Sequence, residues 1–262
     1  MIDADPGACA TIRMNARLDG PITDKGVVLE ADVSNFDFGP YADGLDLLTA
    51  GPPCQPFSRG GKKLGENDGR NMFPALFRAV RELRPRAILV ENVWGLMSGK
   101  FLEYFGYLLL QVRFPFEDVR AGEDWDAHKS RLAELARQIE AGAVGERFDP
   151  AQTYAVWGKA LNAADHGLPQ IRRRAFIVAF RRDLNVSWSW PASTNSEAAL
   201  LRALCPDGSY WLQYPHKPFP PLLAVQFKRS LPWLNSQRTW ISKVNWTDGR
   251  HFETRYAVCQ NQ

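Results

Sequence analysis

The chain has 262 residues, 45% of them hydrophobic and 12% aromatic, enough for one large domain with a real core or one domain and part of another. A net charge of +3 permits contact with a polyanion but does not by itself argue for nucleic acid. No apolar run approaches the roughly 20 residues that span a bilayer, and Met1-Ile2-Asp3-Ala4-Asp5 lacks the basic and then apolar layout of a signal peptide, so a cytoplasmic protein with no membrane contact is expected.

In chain order, Val27 to Leu29 reads as a short strand, and Leu45 to Ala50 as a second that runs directly into Gly51-Pro52-Pro53-Cys54-Gln55-Pro56. Strand carboxyl ends are where ligands sit in open α/β sheets, and Pro53 and Pro56 stiffen the loop and fix where the thiol points. Arg59-Gly60-Gly61-Lys62-Lys63-Leu64-Gly65 lacks the spacing of a nucleotide-binding loop and fits a closing flap better. Phe73, Leu76, Phe77, Val80 and Leu83 repeat at helical spacing, and Ala87 to Val90 is a compact strand run ending in Glu91-Asn92-Val93. Residues 113–152 read as an insertion lying outside the sheet. Leu132, Leu135, Ala136 and Ile139 mark one face of a helix there, which Gly142 and Gly145 end. Gln170, Arg172 and Arg174 share one face if that segment is extended, and Ala175 to Phe180 is a further strand. Alternating strands and helices predict an α/β fold with parallel strands. From Asp183 onward tryptophans scatter among prolines and polar residues without a helical period, which suggests a smaller, irregular strand-and-loop region.

Cys9, Cys54, Cys205 and Cys259 are widely spaced, with no Cys-x-x-Cys pair and no histidine cluster. Neither a metal site nor a disulfide framework is expected, and a reducing compartment fits. A lone cysteine is more often an inert buried residue than a nucleophile. A lone glutamate at a strand end is more often a cap or an ion-pair partner. What singles out Cys54 and Glu91 is that they terminate two successive strands.

The Pro53-Cys54-Gln55 and Glu91-Asn92-Val93 signatures, followed by Gln170-Ile171-Arg172-Arg173-Arg174, resemble in kind and order those of the cytosine-5 DNA methyltransferase family. The resemblance implies a Rossmann-like methyltransferase sheet with helices on both faces, over residues 1–182, and part of a target-recognition region over 183–262. It also implies S-adenosylmethionine as cofactor and double-stranded DNA as substrate. Cys54 would be the nucleophile on carbon 6 of a flipped cytosine, and Glu91, with a raised pKa and shielded from water, the acid at ring nitrogen 3. Asn92 would hold the loop that carries Glu91. Arg172 and Arg174 would be cations of the catalytic pocket. Gln170, Ser58, Lys62, Lys63 and Arg70 would face DNA. Asp3 matches the acid that holds the cofactor's ribose, with Asp5 a rival, Asp32 matches the acid on its adenine amino group, and Pro53 would pack nearby. Ala4 stands where the family often has a stacking aromatic.

The family's first glycine-rich turn and its last motifs have no match here, so the resemblance covers residues 1–182 and reaches 183–262 only by position. Three accounts follow: a truncated methyltransferase, one piece of a split enzyme completed by another chain, or a degenerate DNA-binding module without catalysis. The first is favoured because Cys54, Glu91 and the glutamine-arginine run are all present. Transfer to cytosine in transfer RNA is disfavoured, since the Cys-Phe-Thr tripeptide of that branch does not occur. A cognate restriction endonuclease or a complementing chain is the further partner implied.

Overall fold

The computed structural model describes residues 1–16, 26–42, 44–53, 71–143, 149–168 and 170–196, together with three strands further on. Two short strands, β1 (Ile2–Asp3) and β2 (Leu29–Glu30), pair in parallel, with α1 (Pro6–Ala16) after the first. The strand expected over Val27 to Leu29 is displaced: Val27 is exposed and pairing starts at Leu29.

β3 (Leu47–Ala50), α2 (Phe73–Leu83) and β4 (Ala87–Val93) follow, the two strands parallel with Leu47 opposite Ala87 and Ala50 opposite Val90. The periodicity of α2 is that of its burial, since Phe73, Leu76, Phe77, Val80 and Leu83 all face the core. Pro74 occupies the first turn, where no backbone donor is lost, and Arg84, left-handed at φ 46°, ends the helix before Pro85.

β6 (Arg173–Arg181) lies antiparallel to β4, Leu89 opposite Val178, and β5 (Tyr154–Asn162) flanks β6, so the order is β3-β4-β6-β5. The sheet is therefore mixed, where the alternation of elements predicts parallel strands throughout. Only residues 163–172 join β5 to β6, fewer than a parallel crossover needs, so the two strands lie side by side. The sequence reading contains no strand at β5, whose Gly158 and Lys159 blur its alternation.

Ile88, Val90, Ala175, Ile177 and Ala179 present one sheet face to α2, α3 (Leu102–Arg113) and α4 (Trp125–Glu140). The opposite face carries exposed Leu47 and Leu89 and the ring cluster of Trp157, Phe180 and Trp188. The helix predicted in the insertion is present as α4, but it is not a surface excursion: Leu132 and Ala136 are buried in the main core. Asp124 caps it by accepting the Ala127 N–H at 2.8 Å. Arg131 gathers the preceding loop, bonding the Glu117 and Glu123 carboxylates and the Asp118 carbonyl. That guanidinium, first of all, holds the Glu123 carboxyl down at about 2. Buried His128 lies between the Tyr107 hydroxyl at 2.7 Å and the Glu117 carbonyl at 2.8 Å. A carbonyl can only accept, so in the neutral ring Nε2 carries the proton and Nδ1 accepts from Tyr107. Gly142 turns the chain after α4 at φ 70°, while Gly145 lies outside the described residues.

The chain divides into two compact units, residues 1–160 with 174–188, and residues 161–173 with 189–262. In the second, β7 (Ala224–Val225), β8 (Thr239–Val244) and β9 (Thr254–Gln260) form an antiparallel sheet.

Candidate active site

Because Ala50 pairs with Val90, the chain leaving β3 through Gly51-Pro52-Pro53 enters beside Glu91 and Asn92 of the neighbouring strand. Asn92 follows Ile88 and Val90 on the buried side of β4 and is only 3% exposed. A buried amide must find partners. Its Nδ2 donates to the Pro52 carbonyl at 3.2 Å, and its Oδ1 accepts the Val93 N–H at 2.8 Å. Asn92 thus ties the proline loop of β3 to β4, a contact the sequence reading misses by assigning it to the Glu91 loop. The alternation Ile88, Val90, Asn92 was the available signal, since it sets a polar residue on the core face. Pro53 is exposed at the end of this stretch. Cys54, Ser58, Lys62, Lys63 and Arg70 lie outside the described residues.

Glu91 lies within β4 rather than at its end, because pairing with β6 carries the strand on to Val93. Glu91 stands opposite Phe176 and Val93 opposite Arg174, so the Glu91 and Arg174 side chains share a sheet face, one residue pair apart diagonally. The Arg174 Nε donates to Glu91 Oε1 at 2.8 Å, with the side chains 25% and 41% exposed respectively. The acid and one of the expected pocket cations are therefore a single ion pair. The shielding from water expected for Glu91 is not supplied by the described residues.

Arg172 and Gln170 belong to the second unit. The Arg172 N–H donates to the Asn162 side-chain oxygen at 3.0 Å, and its carbonyl accepts the Ala163 N–H, closing the turn between β5 and β6. The Gln170 N–H bonds the Leu168 carbonyl at 2.8 Å, which bends the chain there. Extended structure begins only at Arg173, so the single face expected for Gln170, Arg172 and Arg174 does not run back to Gln170.

Asp3 ends β1, and Asp32 follows the adjacent parallel strand β2 by two residues, so both carboxylates lie at the carboxyl edge of one small sheet and both are exposed. The Asp3 carboxylate accepts the Asp5 N–H and the Asp32 carboxylate the Ser34 N–H, each at 2.8 Å. The Ser34 backbone bond, then its side chain, hold the Asp32 carboxyl below the usual carboxylate range. Each carboxylate keeps accepting capacity toward solvent, a pair of acceptors that suits the hydroxyl and amino donors of a nucleoside. Cys9 is a buried free thiol against the Asp3 and Leu29 carbonyls, a packing residue of this sheet. Among the described residues no group of three or more His, Cys, Asp or Glu side chains is placed to hold a metal, and no helix is long and apolar enough to cross a membrane.

A family model described as C-5 cytosine-specific DNA methylase matches residues 1–112 and 144–217, leaving out the last residue of α3 and the whole of α4 with the loop before it. The Type II methyltransferase M.NgoMIV of Neisseria gonorrhoeae is 35% identical over 197 residues, 75% of this chain and 48% of that protein. M.Eco47II of Escherichia coli is 32% identical over 205 residues, 77% of this chain and 39% of that protein. M.AquIA of Picosynechococcus is 32% identical over 213 residues, 78% of this chain and 70% of that protein. The chain thus spans less than half of the first two.

Proposed function

The chain belongs to the C-5 cytosine-specific DNA methylase family, and we propose that it carries the catalytic half of a transfer of methyl to carbon 5 of a cytosine flipped out of duplex DNA. The observation that carries this reading is the Asn92 bond to Pro52, which holds the strand exit leading to Cys54 beside Glu91 and its partner Arg174.

Cys54 adds as thiolate to carbon 6 while Glu91 delivers a proton toward ring nitrogen 3, so negative charge does not accumulate on the ring. Carbon 5 becomes nucleophilic and is methylated. Its proton then leaves to a base, nitrogen 3 returns its proton, and the thiolate departs. Arg174 fixes the orientation of Glu91 through the 2.8 Å pair, and a base seated over the pair supplies the exclusion of water that the described residues do not. S-adenosylmethionine would supply the methyl group, and at the carboxyl edge of β1 and β2 the residues that would hold it are Asp3, toward the ribose hydroxyls, Asp32, toward the adenine amino group, and Pro53. Arg172, with Gln170, Ser58, Lys62, Lys63 and Arg70, would serve the base and the DNA backbone. A cognate restriction endonuclease, or a chain that completes the enzyme, is the partner this reading implies, in the cytoplasm.

The test is covalent trapping on duplex DNA carrying 5-fluorocytosine, with S-adenosylmethionine present. Fluorine cannot leave as a proton does, so turnover stops at the cysteine adduct. A denaturation-resistant complex with this chain, absent from Cys54→Ala, supports the reading. An adduct that persists in Cys54→Ala overturns the nucleophile, and no adduct from the chain in any cofactor or DNA condition overturns self-sufficient activity.

A further inference from the structure

The insertion that the family model leaves unmatched builds a cavity of about 650 Å³ against α2 and α3, within the range that holds a small molecule. Its apolar lining includes Phe77, Phe114 and three rings in mutual contact, Trp125 and the largely buried Tyr104 and Tyr107, with centroids 5.7 to 6.0 Å apart. Tyr104 and Tyr107 come from α3, while Trp125 opens α4, so this three-ring wall exists only because the insertion docks.

Charge around the cavity is unbalanced. Among the described residues Glu117, Asp118 and Asp124 line it, with Arg81 the one cationic side chain that does. Arg81 is 3.4 Å from Asp118. Glu117 pairs outward with Arg131, which also holds Glu123. Counting the ion pairs behind the wall as well, five carboxylates (Glu103, Glu117, Asp118, Glu123 and Asp124) stand with three cations (Arg81, Lys129 and Arg131) among the described residues. His128 adds no charge at neutral pH, because burial lowers its pKa and the neutral ring satisfies both neighbours. Aromatic faces beneath an excess of carboxylates attract a cation with an apolar body. Trp125 already shows this chemistry on one side, where the Lys129 ammonium lies 5.9 Å from its ring centroid.

We propose that this cavity is a second binding site, separate from the methyl-transfer site, and that it takes a small organic cation of the quaternary or protonated amine class. The cavity reaches Asn71, whose Nδ2 donates to the Tyr104 hydroxyl at 2.9 Å. Asn71 is the first described residue after 54–70, the stretch that holds Cys54, so an occupant touching Tyr104 adjoins the base of that stretch.

The experiment is equilibrium dialysis of the full chain against choline, with choline's uncharged carbon isostere as control, and it needs neither DNA nor methyl transfer. Saturable choline binding in the millimolar range is expected, with the isostere at least about fivefold weaker, the size of a partly desolvated cation–π contact. Trp125→Ala should abolish it. Should that variant unfold, Asp118→Asn combined with Asp124→Asn keeps the helix cap, since asparagine caps as well as aspartate, and should weaken choline severalfold while sparing the isostere. No saturable binding to the wild-type chain, equal binding of the isostere, or unchanged choline binding by the double variant each overturns the proposal.

Discussion

Replacing Asn92 by alanine tests whether the strand-to-strand tie has a catalytic role or only a structural one. Asn92→Ala removes the bonds to Pro52 and Val93, each worth about 1 kcal/mol net, and leaves a small cavity adding roughly 1 kcal/mol more. A loss of about 3 kcal/mol in unfolding free energy is expected, read from urea titration at constant slope. Stability alone does not discriminate, since any buried residue of β4 contributes. Val90→Ala is the matched control, because Val90 is buried on the same strand face but does not bond the proline loop. The discriminating assay is the rate of 5-fluorocytosine adduct formation at saturating DNA. If Asn92 positions the exit toward Cys54, a misplacement of about 1 Å slows the adduct roughly 100-fold with little change in DNA affinity. Val90→Ala should stay within a few-fold of the parent chain. Equal slowing in both variants refutes the positioning argument and leaves Asn92 a packing residue.

Arg174→Met should cost less than about 1 kcal/mol in thermal denaturation, because its pair with Glu91 is partly exposed, yet it should suppress the adduct; unchanged trapping would remove Arg174 from the site. His128 supplies a pH signature. Burial sets its folded-state pKa below the unfolded value of 6.5, with Arg131 adding to that effect and the Glu117 carbonyl bond and the Glu117 and Glu123 carboxylates opposing it. The stability carried by the neutral ring is therefore complete above about pH 6.5 and is lost as pH falls toward the folded pKa, where the unfolded chain binds the extra proton. Unfolding free energies measured between pH 7 and 5 should decline in the parent chain, and His128→Gln should flatten that slope. Gly158→Ala should destabilise by about 1 to 3 kcal/mol in urea, since its Cβ would meet the buried Phe105 ring at 2.9 Å and Leu109 at 3.0 Å.

The local features of this protein are legible in its residues. The spacing of Phe73, Leu76, Phe77, Val80 and Leu83 dictates α2, because one apolar stripe can be buried only on a helix. Three ordered signatures point to the family without any coordinates, since short motifs keep the residue types their chemistry requires. Long-range relations were beyond it. That β6 lies antiparallel beside β4 is set by which strands the fold pairs, and only this pairing sets Arg174 against Glu91. Residues 113–152 read as an insertion outside the sheet, whereas Leu132, Ala136 and His128 are buried because α2 and α3 offer them an apolar surface that the sequence does not display. Asn92 is the sharpest case. Its residue type says that it needs partners, but the partner is the Pro52 carbonyl, 40 positions away, which only the parallel register of β3 and β4 brings within 3.2 Å. Periodicity and residue chemistry act along the chain and can be read there, while registers and ion pairs arise from which surfaces the folded chain presses together.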